Sequence, residues 1–218
     1  MKIEHCEFPD DLLYDLDQWT WGKLSDDILR LGVTSLISWS FGTLTTVIFK
    51  KEGTSVTKGD VIGSLEGSRH FNVIKSPVSG TLIAVNSRLA SEPELLNKDP
   101  YGNGWVADIK ISDNAEVSHL AKLPGASEAI AHQLRERHIR CFAAYPDLEL
   151  FDIGVECAAV LVKLNEMVTN SPNGTVIHVV SDDPKAEGEM EKWAEITGNR
   201  IRDSRRETSF YHFLVEKK

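Results

Sequence analysis

Cys157 stands where a thiol could do chemistry. It follows Asp152-Ile153-Gly154-Val155-Glu156 and opens a stretch in which Val160, Leu161, Leu164 and Met167 recur at helical spacing. A cysteine at a helix start meets unpaired backbone N–H groups and the positive end of the helix dipole. Both favour the thiolate, the form that attacks and exchanges sulfur. Glu156 beside it is expected to raise the thiol pKa and to oppose that effect. The competing reading is a small buried apolar residue, which free cysteines often are. Cys6 and Cys141 lack such a setting, and Cys141, close to Ile139 and Phe142, is expected in the core. Three cysteines, odd in number and far apart, are expected to form neither a disulfide framework nor a metal-ligand spacing, and a reducing cytosol is the simplest reading. The seven histidines show no pairing at metal-binding intervals, so no metal site is expected.

The elements that would hold such residues differ between the two halves. In the first, Leu44–Phe49, the segment around Val61-Ile62-Gly63-Ser64-Leu65, Asn72–Lys75 and Gly80–Val85 read as short strands. They are separated by glycine turns and by Ser76-Pro77-Val78-Ser79, a pattern of a β-sandwich or flattened barrel. Trp19, Trp21 and Trp39 read as packing residues rather than binding platforms. Residues 115–140 predict one helix, a break at Pro124-Gly125, and a second helix, from Leu120, Leu123, Ile130, Leu134 and Ile139.

The second half predicts a strand at Leu148–Ile153, a helix from Cys157 to Val168 and a strand at Thr175–Val180. A helix then starts at Asp182-Asp183-Pro184, and two strands follow around Arg205-Arg206-Glu207-Thr208. Asp182 and Asp183 read as helix-start residues. The order β-α-β-α-β-β predicts a two-layer sandwich. The boundary is placed near Ala143 to Pro146, giving domains 1–143 and 147–218. Arg200, Arg202, Arg205 and Arg206 read either as a solvated face or as a docking patch for an acidic partner.

Two resemblances sharpen this β plus α/β organisation. Gly32-Val33-Thr34, Gly59-Asp60, Ser76-Pro77-Val78-Ser79-Gly80, Pro93-Glu94-Leu95-Leu96-Asn97 and Asp99-Pro100-Tyr101-Gly102-Asn103-Gly104-Trp105 resemble the H protein of the glycine cleavage system, over roughly Leu12 to Leu120. The resemblance implies a lipoyl-type β-sandwich (barrel-sandwich hybrid) bearing lipoate on a lysine at a hairpin tip. Here that tip reads Glu66-Gly67-Ser68-Arg69-His70, and Arg69 occupies the lipoyl-lysine position. A guanidinium stays protonated and cannot be acylated as an amine can, so lipoate attachment is not expected. Lys75, six residues further on, is not expected to substitute. Arg69 and His70 read as an anion or partner contact, or as two solvated turn residues.

Residues 148–218 resemble the TusA/SirA family of small sulfur carriers. The resemblance rests on Gly154-Val155-Glu156-Cys157 before the helix, Asp182-Asp183-Pro184 after a strand, Trp193-Ala194, Gly198 and the final Phe213-Leu214-Val215-Glu216-Lys217. It implies that Cys157 carries sulfur as a persulfide. Alanines follow Cys157 where that family has proline, which loosens the preset of the turn.

A net charge of −9 speaks against nucleic acid as partner. No apolar run reaches the roughly 18–20 residues that cross a bilayer, and Met1–Pro9 is too polar for a signal peptide, so a cytoplasmic protein is expected. The expected partners are proteins: a sulfur donor or acceptor, or lipoate-linked enzymes. The expected function is a sulfur carrier or sulfurtransferase, a carrier rather than a true catalyst, with the first domain as its dock. The alternative is a non-catalytic adaptor of the same partners.

Overall fold

Short β-branched and aromatic runs bounded by glycine cannot bury enough surface alone, so they pair into sheets with a shared core. The computed structural model, which describes residues 1–123 and 125–218, shows this in two compact units, Met1–Cys141 and Phe142–Lys218.

The first unit contains β1 (Lys2–Ile3), β2 (Cys6–Glu7), β3 (Leu13–Asp15), β4 (Thr20–Ser25), β5 (Ile28–Val33) and α1 (Ser35–Ser40). It continues with β6 (Leu44–Phe49), β7 (Ser55–Val56), β8 (Val61–Gly67), β9 (Phe71–Lys75), β10 (Gly80–Val85) and α2 (Leu95–Lys98), then β11 (Trp105–Ile111), β12 (Ala121–Lys122) and α3 (Ser127–Glu136). One sheet runs β12-β3-β4-β5-β11-β10-β7, a second β6-β8-β9, and β1-β2 form a ribbon. Leu29, Leu31, Leu82 and Ile109 from the first sheet share one buried cluster with Leu44, Val47, Ile62, Leu65 and Ile74 from the second. This is the sheet-on-sheet core that period-2 alternation demands. Gly32 is required by its cross-strand partner Trp21, because a Cβ there would collide with the indole. Trp19 and Trp21 are buried and Trp39 packs against the cluster.

Two expectations for this unit are corrected. Residues 114–119 form a 3₁₀ segment rather than an α-helix. The chain then enters β12, whose Ala121 pairs with Tyr14. Leu120 and Leu123 are therefore buried by sheet pairing and not by a helical face; tertiary pairing overrides a short apolar period. The break expected at Pro124 lies outside the described residues, and the second helix is α3. The second correction concerns sulfur: Cys6 and Cys141 form a disulfide, with Cα atoms 4.9 Å apart across 135 residues of sequence. The inference of a reducing compartment rested on unpaired cysteines and loses that support. No helix among the described residues is long and apolar enough to cross a membrane.

The second unit contains β13 (Leu148–Asp152), α4 (Cys157–Thr169), β14 (Val176–Ser181), α5 (Ala186–Thr197), β15 (Arg200–Glu207) and β16 (Phe210–Glu216). Its sheet runs β13-β14-β16-β15, with β13 parallel to β14 and the remaining pairs antiparallel. Val160 and Leu164 of α4, Met190 and Trp193 of α5, and Ile177, Val179, Phe213 and Val215 of the sheet form its core. The Trp193 indole N–H donates to the Asn165 amide oxygen at 2.8 Å and ties the two helices together.

The opposite face of this sheet is also buried at its centre. His178 and His212 stack there, with Nε2 and Nδ1 3.1 Å apart. Phe142 lies 4.6 Å from His178 by ring centroids, and the Arg205 guanidinium sits 3.8 Å over Phe142. Arg205 therefore stands apart from the exposed Arg200, Arg202 and Arg206. Alternation along β15 sends Arg205 to the histidine face, while Arg206 lies over Tyr211 and Arg202 pairs with Glu216.

Candidate functional site

The β13–α4 turn is built by Gly154, whose φ of +73° is a left-handed conformation that a side chain would strain. Glu156 follows as N-cap and Cys157 is the first residue of α4. Counting along the helix, Cys157, Val160, Leu164 and Val168 lie on one stripe, and all four are buried. The thiol therefore points with the apolar face, and Cys157 is only 2 % exposed.

The first N–H of α4 is not offered to the sulfur. The Cys157 N–H donates to Asp183 Oδ2 at 2.7 Å, and the Gly154 N–H donates to Asp182 Oδ1 at 2.8 Å. Asp183 Oδ1 accepts the Lys185 N–H at 2.9 Å. These donors hold the Asp183 carboxyl below the usual carboxylate range. The thiol responds in the opposite sense: burial, then the nearby Asp183 and Glu189 carboxylates, push the Cys157 pKa up to about 11. The expected thiolate-favouring helix start is thus corrected. The carboxylates acting on the sulfur are Asp183 and Glu189, not the Glu156 named from sequence. A cavity of about 480 Å³ opens here, lined by Glu156, Cys157, Asp182, Asp183, Lys185 and Glu189 among others.

Asp182 and Asp183 do more than sequence reasoning assigned them. α5 begins at Ala186 with Lys185 as N-cap, and Asp183 accepts the Lys185 N–H just before it, as a helix-start residue does, but both aspartates also serve the neighbouring turn. A signal for this existed. In a parallel strand pair the carboxyl ends lie side by side, and Asp152 is in register with Ser181. The loops leaving both strands must converge there, where α/β sheets gather polar groups.

In the first unit, Arg69 sits at the tip between β8 and β9, and Ser68, Arg69 and His70 are exposed. The tip is fastened through backbone: Ser68 N–H donates to Thr43 O at 2.9 Å and Arg69 N–H to Phe41 O at 3.0 Å. The His70 ring meets Phe41 edge-on at 5.8 Å. Gly67 packs so closely on the Phe41 carbonyl that a Cβ would collide with it. Residues 41–43 are held by the buried Asn97, whose Oδ1 accepts the Leu44 N–H at 2.8 Å while Nδ2 donates to Ser38 O at 2.7 Å and Gly42 O at 3.0 Å. Lys75 is at the far end of β9, half-buried and in register with Val61. At about 3.3 Å per residue this is roughly 20 Å from the tip.

Comparison with known proteins places these features in context. Residues 12–133 match the glycine cleavage H-protein family. A probable glycine cleavage system H protein of Haloarcula marismortui is 38% identical over 114 residues, 52% of this chain and 89% of that protein. A probable H protein 2 of Sulfolobus acidocaldarius is 33% identical over 145 residues, 65% of this chain and 97% of that protein. Among solved structures, a glycine cleavage system H protein from Mycobacterium marinum superposes with a TM-score of 0.50 at 23% identity, covering 61% of this chain and all of that one. That likeness is one of fold.

Proposed function

Because the chain belongs to the glycine cleavage H-protein family, we propose that its first unit is a docking module of that family and its second unit a sulfur carrier acting through Cys157. The observation that carries this reading is Cys157 at the first position of α4, beside a cavity at the carboxyl ends of two parallel strands. A sulfane sulfur taken there would be handed on by thiol exchange. The resemblance of residues 148–218 to TusA/SirA carriers supports the same chemistry.

Lipoate does not fit this tip. The group needs an acylable amine, and the exposed tip holds Ser68, Arg69 and His70. The family surface would then serve to meet proteins that handle lipoate or sulfur, without a lipoyl arm. Arg69→Lys tests the point directly: a lipoate-attaching enzyme is expected to add a lipoyl-sized mass to the variant and none to the wild-type chain. Equal failure of both would mean that the tip lacks more than its amine.

The sulfur reading is tested by intact mass before and after a polysulfide donor, beside Cys157→Ala. A sulfur adduct on the wild-type chain that vanishes in the variant is expected. One observation favours a second reading: the Cys157 sulfur is buried and held neutral. If the mass stays unmodified, the chain is a non-catalytic adaptor of the same partners.

A further inference from the structure

Asp183 leaves β14 in a loop that leads into α5, yet its carboxylate acts on the turn that opens α4. One oxygen takes the Cys157 N–H at 2.7 Å and the other takes the Lys185 N–H at 2.9 Å. Asp182 fastens the same turn through Gly154 at 2.8 Å. The two aspartates thus staple the converging loops, but only Asp183 holds the residue that bears the thiol.

The donor Asp183 takes is the group a sulfur anion on Cys157 would want. The first N–H groups of a helix are its anion-binding end, and the Cys157 N–H serves one strong acceptor at a time. At rest that acceptor is a carboxylate. The charged groups around the cavity are Glu156 beside the cysteine, Asp182, Asp183 and Lys185 from the β14–α5 loop, and Glu189 from α5. A negative charge on Cys157 would stand among four carboxylates and one ammonium, with the Cys157 N–H already taken.

Building on the carrier reading, we propose that Asp183 is a positioning residue that latches the resting site. It occupies the Cys157 N–H while the thiol is neutral and gives up that N–H when Cys157 ionises and accepts sulfur. The chemistry balances without an external oxidant. Cys157 releases its proton to solvent, and the thiolate attacks the terminal sulfur of a persulfide donor. The new S–S bond forms as the donor S–S bond breaks, and the donor departs as a thiolate. The persulfide on Cys157, a stronger acid than a thiol, then takes the N–H that Asp183 leaves. The latch keeps an unloaded thiol from indiscriminate oxidation or alkylation.

The test is the pH profile of iodoacetamide alkylation on the full chain, for wild type, Asp183→Asn and Glu189→Gln. Wild type is expected to react with a midpoint near 11. Asp183→Asn removes the charge and leaves only a neutral, weaker acceptor for the N–H, and its midpoint is expected to fall by about one unit or more, raising the rate at neutral pH about tenfold. Glu189→Gln removes a charge from the same cavity without touching the N–H and is expected to shift the midpoint less. An unchanged midpoint in Asp183→Asn, or an equal shift in both variants, overturns the latch. If Asp183→Asn fails to melt cooperatively, the wild-type chain decides. The Asp183 carboxyl, titrated by carbon NMR, is expected to gain affinity for its proton on sulfur loading, and an identical titration overturns the proposal. Intact mass separates this idea from the carrier reading. A lowered midpoint with no sulfur uptake by any form sinks the carrier reading and keeps only the hold of Asp183 on the resting thiol. Sulfur uptake with an unmoved midpoint does the reverse.

Discussion

Reducing the Cys6–Cys141 disulfide will lower the unfolding free energy of the first unit by about 5 kcal/mol. The bridge closes a loop across 135 residues of sequence. In the chain-entropy account a cross-link over a loop of roughly 100 residues removes about 4.7 kcal/mol from the unfolded state, and the dependence on length is logarithmic. The bridge also sits where local contacts are sparse. β1 and β2 are two residues each and pair only with one another. Cys6 nonetheless has no exposed surface, and Phe8 two residues later is fully buried against Tyr14 and Tyr101. Without the bridge, the ribbon is anchored by the burial of Phe8 and Ile3, by the Ser35 hydroxyl donating to Glu7 O at 2.9 Å, and by the exposed Arg135–Glu4 pair, which solvent screens. Denaturant unfolding with and without reductant is the measurement. Cys157→Ala in both arms keeps the free thiol from exchanging. A change below about 1 kcal/mol would mean that the bridge does not constrain the unfolded chain.

That bridge also marks where sequence reading stops. Cys6 and Cys141 are bonded because the fold brings the first ribbon to the end of α3, and nothing in their spacing carries that information. Local signals did better. Runs such as Leu44–Phe49 and Gly80–Val85 are strands because β-branched residues and flanking glycines act over a few positions. The position of Arg69 at a hairpin tip was legible only through the resemblance to the H protein. The stripe that buries Val160 and Leu164 also contains Cys157, so the burial of the thiol was open to the same counting. The sign of its pKa was not. A helix start considered alone favours the thiolate, and the carboxylate that reverses this arrives from a loop 26 residues away. Only the parallel register of β13 and β14 shows that the two loops meet. The buried His178–His212 pair was hidden in the same way, because it needs both β14 and β16 in register before the two rings coincide.

Asn97→Ala is expected to destabilise the first unit by about 3–5 kcal/mol and to loosen the Arg69 tip without touching it. Asn97 is 3 % exposed, and all three of its hydrogen bonds go to backbone groups between Ser38 and Leu44. Truncation leaves the Leu44 N–H and the Ser38 and Gly42 carbonyls without this partner in a region that excludes water. Each buried orphan costs about 1–3 kcal/mol, and part of the sum is recovered by relaxation. The segment that would relax is the one on which the tip rests. Gly42 has a φ of +70° and cannot shift freely, while Phe41 and Thr43 carry the acceptors for Arg69 and Ser68. The loss should therefore reach the tip by a definite route, from Asn97 to Gly42 to the Phe41 and Thr43 carbonyls, and then to the Arg69 and Ser68 amides. Amide exchange reads each step. Leu44, Ser68 and Arg69 should lose protection together, while Ile109 in the middle of β11 changes only by the global loss. If Leu44 alone responds, the tip stands on its own hairpin, and Asn97 braces the loop without setting the geometry that a docking partner would meet.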